Sequence, residues 1–182
     1  MKRHVMGITM LALALAAGTA GATSVGVGVF GGASVPLVQD DTGRGNIYGL
    51  RVPINLLPLI SVEPFYASSA MGDKDQTIAG LSYTRDGGDI TAFGVNAMLG
   101  GLGLPGVKFY PFAGIANYSL KRTGNSDVTD MGYDFGLGLA FSPVSKLQVN
   151  VRGEFVMVAT DETSRKFGNV TLGASYNLFS AP

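Results

Sequence analysis

The sequence of 182 residues contains no cysteine, no tryptophan and a single histidine, and only 14% of its residues are charged. The histidine, His4, lies in an N-terminal segment that we expect to be removed. Without His or Cys, the rest of the chain lacks the side chains for Ser–His or Cys–His catalysis and for the usual zinc sites. We therefore expect no enzyme: no catalytic residues, no cofactor and no metal ion. The lack of cysteine also means that no disulfide stabilises the fold.

Two further scarcities exclude other classes of protein. The chain has 13 basic and 13 acidic residues, so it lacks the positive excess that nucleic acid binding requires. After the N-terminal segment, no run of 18 apolar residues occurs, which excludes a membrane protein built from spanning helices.

The first 22 residues have the pattern of a secretory signal peptide. Lys2 and Arg3 precede an apolar run from Val5 to Ala17, and small residues ending at Ala22 follow. The apolar run is well short of the ~20 residues that a spanning helix needs. We therefore predict a signal peptide over residues 1–22, cleaved after Ala22, and one domain over residues 23–182.

The exported part alternates between apolar and small or polar residues, which is the pattern of half-buried strands. We predict eight strands, at residues 23–35, 46–56, 59–69, 90–99, 108–120, 131–141, 146–158 and 169–179. Most have ten or more residues, the length that a tilted strand needs to cross a bilayer, whereas strands of soluble proteins more often have five or six.

The segments between these strands alternate in length and polarity. Polar, mostly longer segments occur at 39–45, 71–89, 121–130 and 160–166, and short, nearly uncharged ones at 57–58, 100–107 and 142–145. Long outer loops and short inner turns are typical of outer-membrane barrels. "TIAGLSYT" (77–84) can be read as a ninth strand, but we interpret it as part of the long second loop or as a hairpin beyond the membrane.

The polar sides of the strands decide which side faces inward. Apart from Lys108 and Lys146, which begin their strands, the charged residues within the strands are all on the polar sides: Arg51, Glu63, Asp134, Arg152 and Glu154. The other residues there are mostly small, which suits the narrow interior of an eight-stranded barrel better than a water-exposed surface. We predict that Arg51 neutralises Glu63 on the neighbouring strand and that Arg152 and Glu154 join Asp134. The apolar sides then face lipid, with aromatic girdles at both rims: Tyr48, Tyr118, Tyr133, Phe167, Phe109, Phe141 and Phe179.

Three segments resemble those of a known family. "KFYPFAGIANYSL" (108–120), "GYDFGLGLAF" (132–141) and the "SYNLF" ending are similar to strands of the small OmpA/OmpX-type outer-membrane β-barrels. The resemblance implies an all-β, eight-stranded antiparallel up-and-down transmembrane barrel after a cleaved signal peptide. It also implies that the last strand is the signal read by the outer-membrane insertion machinery, through Val170, Leu172, Ala174, Tyr176, Leu178 and Phe179. In this sequence Phe179 is one step out of phase with Leu178, and three residues follow it.

The function predicted is a structural or surface-interaction barrel in the outer membrane of a Gram-negative cell. Its interior would be plugged, partly by Phe30, Phe65 and Met98, and its polar loops would face outside. The expected partners are membrane lipid, lipopolysaccharide, the insertion machinery and an unknown ligand at the loops. Two alternatives remain: a narrow porin-like channel for small or hydrophobic solutes, and a soluble exported lipocalin-like barrel. As a minor alternative, four loop aspartates are suited to calcium: Asp73, Asp75, Asp86 and Asp89.

Overall fold

A computed structural model describes residues 24–37, 43–57, 59–78, 81–85, 87–100, 102–104, 106–121, 128–160 and 164–180. The predicted signal peptide at residues 1–22 lies outside these residues. The described strands, in chain order, are β1 (Ser24–Pro36), β2 (Gly45–Arg51), β3 (Ile54–Leu57), β4 (Ile60–Met71), β5 (Lys74–Ile78), β6 (Leu81–Arg85), β7 (Gly88–Leu99), β8 (Leu102–Leu104), β9 (Val107–Lys121), β10 (Val128–Val144), β11 (Leu147–Val158) and β12 (Arg165–Ser180).

The strands close into a barrel. Each main strand pairs antiparallel with its neighbours, in the order β1, β2, β4, β7, β9, β10, β11, β12, and β12 pairs again with β1. β3 continues the position of β2 between β1 and β4, while β8 pairs only with β9. The structure therefore confirms the predicted closed, eight-stranded antiparallel barrel. We call the end with the short β3–β4 and β10–β11 connections the turn end, and the opposite end the loop end.

The second barrel strand is interrupted, which the sequence did not predict. The ladder stops at Arg51 and resumes at Ile54. Pro53 has no N–H with which to continue it, although its carbonyl still accepts a hydrogen bond from Gly26 N at 2.9 Å. The register nevertheless continues across the gap, because Arg51↔Phe65 is followed by Ile54↔Val62 with the same spacing on both strands. Ile54 therefore keeps the outward phase of Leu50, as predicted for the apolar side of residues 46–56, although it is only 2% exposed. Val25, which pairs with Ile54, likewise keeps the phase of Val27 and Val29 and is buried at 6% exposure.

Two of the predicted short turns contain more strand than expected. β10 continues through Ser142 and Pro143 to Val144, with an irregularity in its pairing to β11, and the turn follows at Ser145 and Lys146. In the 100–107 segment, β8 folds back on the start of β9. Gly106 turns the chain there with a φ of 86°, a left-handed conformation that glycine adopts without steric cost.

The second loop carries a hairpin of its own. β5 and β6 pair from Lys74↔Arg85 to Ile78↔Leu81 and form a separate two-stranded sheet. The "TIAGLSYT" segment is thus confirmed as part of a hairpin in the long loop, and it is not a ninth barrel strand.

The large apolar side chains of the barrel strands lie mostly on its outer surface. On β10 all five predicted outward residues are about half exposed: Tyr133, Phe135, Leu137, Leu139 and Phe141. Among the aromatic residues predicted for the girdles, Tyr48 and Phe109 also lie exposed on the outer surface. The prediction is wrong for Tyr118 and Phe167, which lie inside the barrel at 6% and 4% exposure. Both share the phase of inward-facing neighbours such as Ala116 and Asn169.

A bulge explains the phase of Phe179. The β1–β12 pairing passes from Val25↔Phe179 directly to Gly26↔Asn177, so Leu178 is the extra residue. A bulge of this kind turns the strand locally. Leu178 and Phe179 consequently both lie exposed on the outer surface. Among the described residues, no helix is long and apolar enough to cross a membrane.

Candidate functional site: the barrel interior

The interior is divided into three layers along the barrel axis. Near the loop end, an apolar cluster includes Ile47, Met71, Val156, Val158 and Phe167. Near the turn end, a smaller apolar cluster forms around Met98, Tyr110, Phe112 and Ala140. Between them lies a layer that we call the polar belt, and it consists of Arg51, Glu63, Asn96, Asp134, Asn150, Arg152, Glu154, Asn169 and Thr171.

Arg152 crosses the barrel to bind Glu63. Its Nη2 donates to Glu63 Oε2 at 2.8 Å and its Nη1 donates to Glu63 Oε1 at 2.5 Å, so the contact is bidentate. Both side chains are buried, at 8% and 2% exposure. β11 and β4 are four positions apart around the eight-stranded wall, so this ion pair joins opposite sides of the barrel. Charge-assisted bidentate pairs are among the strongest and most directional hydrogen bonds in proteins.

Aromatic rings hold the Arg152 guanidinium in place. Its Nε donates to Tyr110 Oη at 2.8 Å. Its Cζ lies 5.3 Å from the centroid of the Tyr110 ring and 5.2 Å from that of Phe112, within the range of cation–π attraction. The apolar cluster at the turn end is thus also the support of the central ion pair.

Arg51 has different partners from those predicted. Its Nη1 donates to Asn150 Oδ1 at 3.1 Å, and its guanidinium lies 4.2 Å from the centroid of the Phe30 ring. The predicted Arg51–Glu63 pair is therefore wrong, since Glu63 binds Arg152 instead. The observed partner of Arg152 also differs from the predicted Glu154 and Asp134, because the closed wall brings Glu63 on β4 opposite Arg152 on β11.

The other two carboxylates of the polar belt lie apart from this ion pair. Glu154 Oε2 accepts a hydrogen bond from Asn169 Nδ2 at 2.6 Å. Asp134 is 1% exposed, and neither of its carboxylate oxygens has a hydrogen-bond partner within the described part of the chain. All five charged residues predicted for the interior thus have inward-facing positions, and the two arginines lie among three carboxylates.

A small cavity of about 40 Å³ lies between the polar belt and the apolar cluster near the loop end. Arg51, Asn96 and Asn169 are among its polar lining residues, and Phe65 and Tyr118 are among its apolar ones. Arg51 Nε, Asn96 Oδ1 and Asn169 Oδ1 are buried there without a hydrogen-bond partner among the described residues. A space of this size, with polar groups on one side, suits one or a few water molecules.

The sequence reasoning missed the uncharged members of the site. Asn150, Asn169 and Tyr110 each bind a charged side chain, although only the charged residues had been singled out. The inward position of Asn150 could have been predicted, because Asn150 shares the phase of Arg152 and Glu154 on β11. Tyr110 was harder to assign, since aromatic residues are expected on either surface of such a barrel.

The last strand presents an apolar outer surface. Val170, Leu172, Tyr176, Leu178 and Phe179 are exposed, and Ala174 is half-buried. The arrangement suits recognition from outside, but the role of this strand as an insertion signal stays a prediction.

The loop aspartates do not come together as a metal site in the described structure. Asp73 Oδ1 accepts a hydrogen bond from Gly87 N at 2.8 Å, and Asp75 Oδ1 accepts one from Thr84 Oγ1 at 2.6 Å. Among the residues that the structure describes, no group of three or more His, Cys, Asp or Glu side chains is placed to hold a metal ion. Asp86 lies outside the described residues.

Known proteins share both the sequence pattern and the fold. A family model described as the outer membrane protein beta-barrel domain matches residues 6–177. No curated protein sequence matches the chain. The structure resembles Neisserial surface protein A, with a TM-score of 0.69 at 12% identity, over 86% of this chain and 98% of that one.

Two further solved structures resemble it less closely. A major outer membrane protein of Thermus thermophilus has a TM-score of 0.57 at 11% identity, over 85% of this chain and 98% of that one. The N-terminal β-barrel domain of Pseudomonas aeruginosa OprF has a TM-score of 0.55 at 16% identity, over 87% and 99%. These likenesses show the fold, while the family match spans β1 to most of β12. The chain therefore belongs to the outer membrane protein β-barrel domain family and is located in the outer membrane.

Proposed function

We propose that this protein is a structural or surface-interaction barrel with a sealed interior, whose polar loops face outside the cell. The observation that carries the proposal is the ion pair between Arg152 and Glu63, which spans the interior between two apolar layers. In the same proposal, residues 1–22 are a signal peptide that is removed, and residues 23–182 are the barrel domain. No catalytic role is part of it.

Three layers of side chains follow one another along the barrel axis. A solute that enters from the loop end meets the apolar cluster around Val158 and Phe167, which are 0% and 4% exposed. It then meets the cavity, which holds only about 40 Å³, and the polar belt. The cluster around Tyr110 and Phe112 lies beyond. Small barrels of eight strands leave an interior that side chains fill, and this one follows that rule.

Conductance in a planar lipid bilayer tests the sealed interior. We expect the refolded protein to give no discrete current steps above the lipid background. The variant Glu63→Ala/Arg152→Ala, which removes the ion pair, is the comparison, since steps in the variant alone would show that this pair closes the path. Discrete steps in the unmodified protein would overturn the proposal and favour the narrow channel.

The soluble, lipocalin-like alternative is not favoured. Such a barrel needs its large apolar side chains inside, whereas those of β10 and β12 are about half exposed on the outer surface. The belt that they form matches the lipid-facing band of transmembrane barrels.

The second loop supports a role at the cell surface. Its hairpin, β5 and β6, extends from the loop end, and Asp73, Asp75, Thr77 and Ser82 are exposed on this loop. Polar side chains of this kind suit contact with lipopolysaccharide headgroups or an extracellular ligand, and they require the loop end to face outward.

Cysteine labelling in intact cells tests this orientation, because the natural chain has no cysteine background. A membrane-impermeant maleimide should label Thr77→Cys in intact cells. It should label Ser145→Cys, in the β10–β11 turn, only after the outer membrane is permeabilised. The reverse pattern would contradict the proposed orientation.

The outer surface of β12 supports a role in biogenesis. We infer that the insertion machinery recognises its exposed apolar residues. Replacing Tyr176 and Phe179 together by serine should lower the amount of protein assembled in the outer membrane, while refolding of the purified variant in detergent is affected less. If assembly in the outer membrane and refolding in detergent were reduced equally, these residues would act only through the stability of the barrel.

A further inference from the structure

An exposed apolar patch lies at the turn end, where β3 and β7 end and β4 begins. We call Leu57, Leu59, Ile60 and Leu99 the turn patch; all four are exposed, from 40% to 64%. Leu57 pairs with Ile60, and Ile60 pairs with Leu99 on the next strand. Gly100 N donates to Leu59 O at 2.5 Å, which joins the β3–β4 turn to the end of β7. The four residues thus form one continuous surface.

The opposite side of the turn end is different. The β10–β11 turn lies across the barrel from the β3–β4 turn. It exposes Ser142, Ser145 and Lys146, with Val144 as its one large apolar side chain. A turn of this composition is typical of a segment in water, whereas a contiguous apolar surface indicates contact with a partner or with lipid.

The loop end shows the reverse asymmetry. On the side of the turn patch, polar residues occupy outward positions several residues before the strands end: Ser68 on β4 and Thr91 on β7. On the opposite side, the corresponding outward positions are apolar: Met131, the fourth residue of β10, is 53% exposed, and Met157 is the second-last residue of β11. Lys166 on β12, which pairs with Met157, is the exception.

We propose that the apolar belt is inclined to the barrel axis, and that the turn patch lies in the acyl-chain region of the inner leaflet. The occupant of the patch is then membrane lipid. The patch is continuous with the established lipid-facing belt, because outward-facing Val62 lies two residues after Ile60 on β4 and outward-facing Val95 lies four residues before Leu99 on β7. The polar β10–β11 turn, by contrast, lies in the aqueous periplasm. This inference rests on the orientation given under the proposed function.

Single tryptophans test the inclination, because the natural chain contains none. Three variants are compared in phosphatidylcholine vesicles: Leu59→Trp in the turn patch, Ser145→Trp in the opposite turn, and Leu137→Trp in the middle of the belt. Each is first shown to be folded by its heat-dependent shift on a denaturing gel. Fluorescence is then quenched either by lipid brominated on its acyl chains or by aqueous iodide.

We expect Leu59→Trp and Leu137→Trp to be quenched several-fold more by brominated lipid than Ser145→Trp, and several-fold less by iodide. If Leu59→Trp behaves like Ser145→Trp, the patch is in water and the proposal is wrong. If Leu59→Trp resists both quenchers until the protein is diluted in lipid, a second copy covers the patch, which also overturns it. Only a failure of Leu137→Trp to respond to brominated lipid would contradict the membrane placement itself.

Discussion

The inward and outward surfaces of this barrel are made by the same strands, because residues that follow one another in the chain lie on opposite surfaces. On β11, Arg152 is buried while Val151 before it is 47% exposed. The inward surface has to match charges and volumes in a closed space. The outward surface only has to exclude charge. The same kind of substitution should therefore have different effects on the two surfaces, and three predictions test this difference.

The largest effect is expected from Arg152→Ala. The substitution leaves the Glu63 carboxylate buried without its partner, which should destabilise the barrel by about 3–5 kcal/mol. Urea unfolding in detergent, followed by the gel shift, measures the loss. The double variant Glu63→Gln/Arg152→Met should recover part of it, because the buried charge is removed together with its partner. An unchanged midpoint in Arg152→Ala would contradict a structural role for the pair.

The outward surface should respond most to charge. Leu137 lies near the middle of β10 and is 52% exposed, so Leu137→Arg places a cation in the lipid. We expect a cost of about 2–4 kcal/mol for a barrel folded in lipid vesicles. Leu137→Met is the matched control and should be nearly neutral. Equal stability of the arginine and methionine variants would mean that this surface does not face acyl chains.

A smaller and more direct contrast comes from two neighbouring glycines. A Cβ on the inward-facing Gly136 would lie 2.2 Å from the carbonyl oxygen of Gly153 and 2.6 Å from Phe112 Cζ. A Cβ on Gly153, which faces outward, would meet nothing within 4 Å.

Gly136→Ala should therefore destabilise the barrel by about 1–3 kcal/mol through overpacking. Gly153→Ala should be neutral or slightly stabilising, because glycine loses more conformational freedom than alanine on folding. The same urea titration measures the free energy of unfolding of both variants. A larger loss of stability in Gly153→Ala than in Gly136→Ala would reverse the assignment of the inward and outward surfaces.

Much of the wall could be predicted from the alternation alone. The eight crossing strands, their outward apolar residues on β10 and the buried positions of the charged residues all follow from a period of two. The alternation alone does not account for Phe179, because its outward position depends on the bulge at Leu178. A bulge of this kind leaves no plain mark in the sequence. Pro53, by contrast, interrupts the second strand without changing its phase.

The contents of the interior were less predictable. Arg152 and Glu63 are 89 residues apart and meet only because the closed barrel brings β11 opposite β4. The apolar layer near the loop end was also missed, since inward-facing Ile47, Val156 and Val158 look like outward-facing residues in composition. Tyr118 and Phe167 were assigned to the girdle for the same reason, although their phase placed them inside.

The seam between β1 and β12 determines when the barrel can be completed. Its ladder runs from Ser24↔Ser180 to Pro36↔Phe167, so it joins residues from the two ends of the sequence. Contacts this distant in sequence carry a high entropic cost and form slowly. Until they form, β1 and β12 are both unpaired edges of the kind that favours aggregation. A chain that lacked β12 would therefore not form a smaller barrel, because β1 and β11 would each have an unpaired edge.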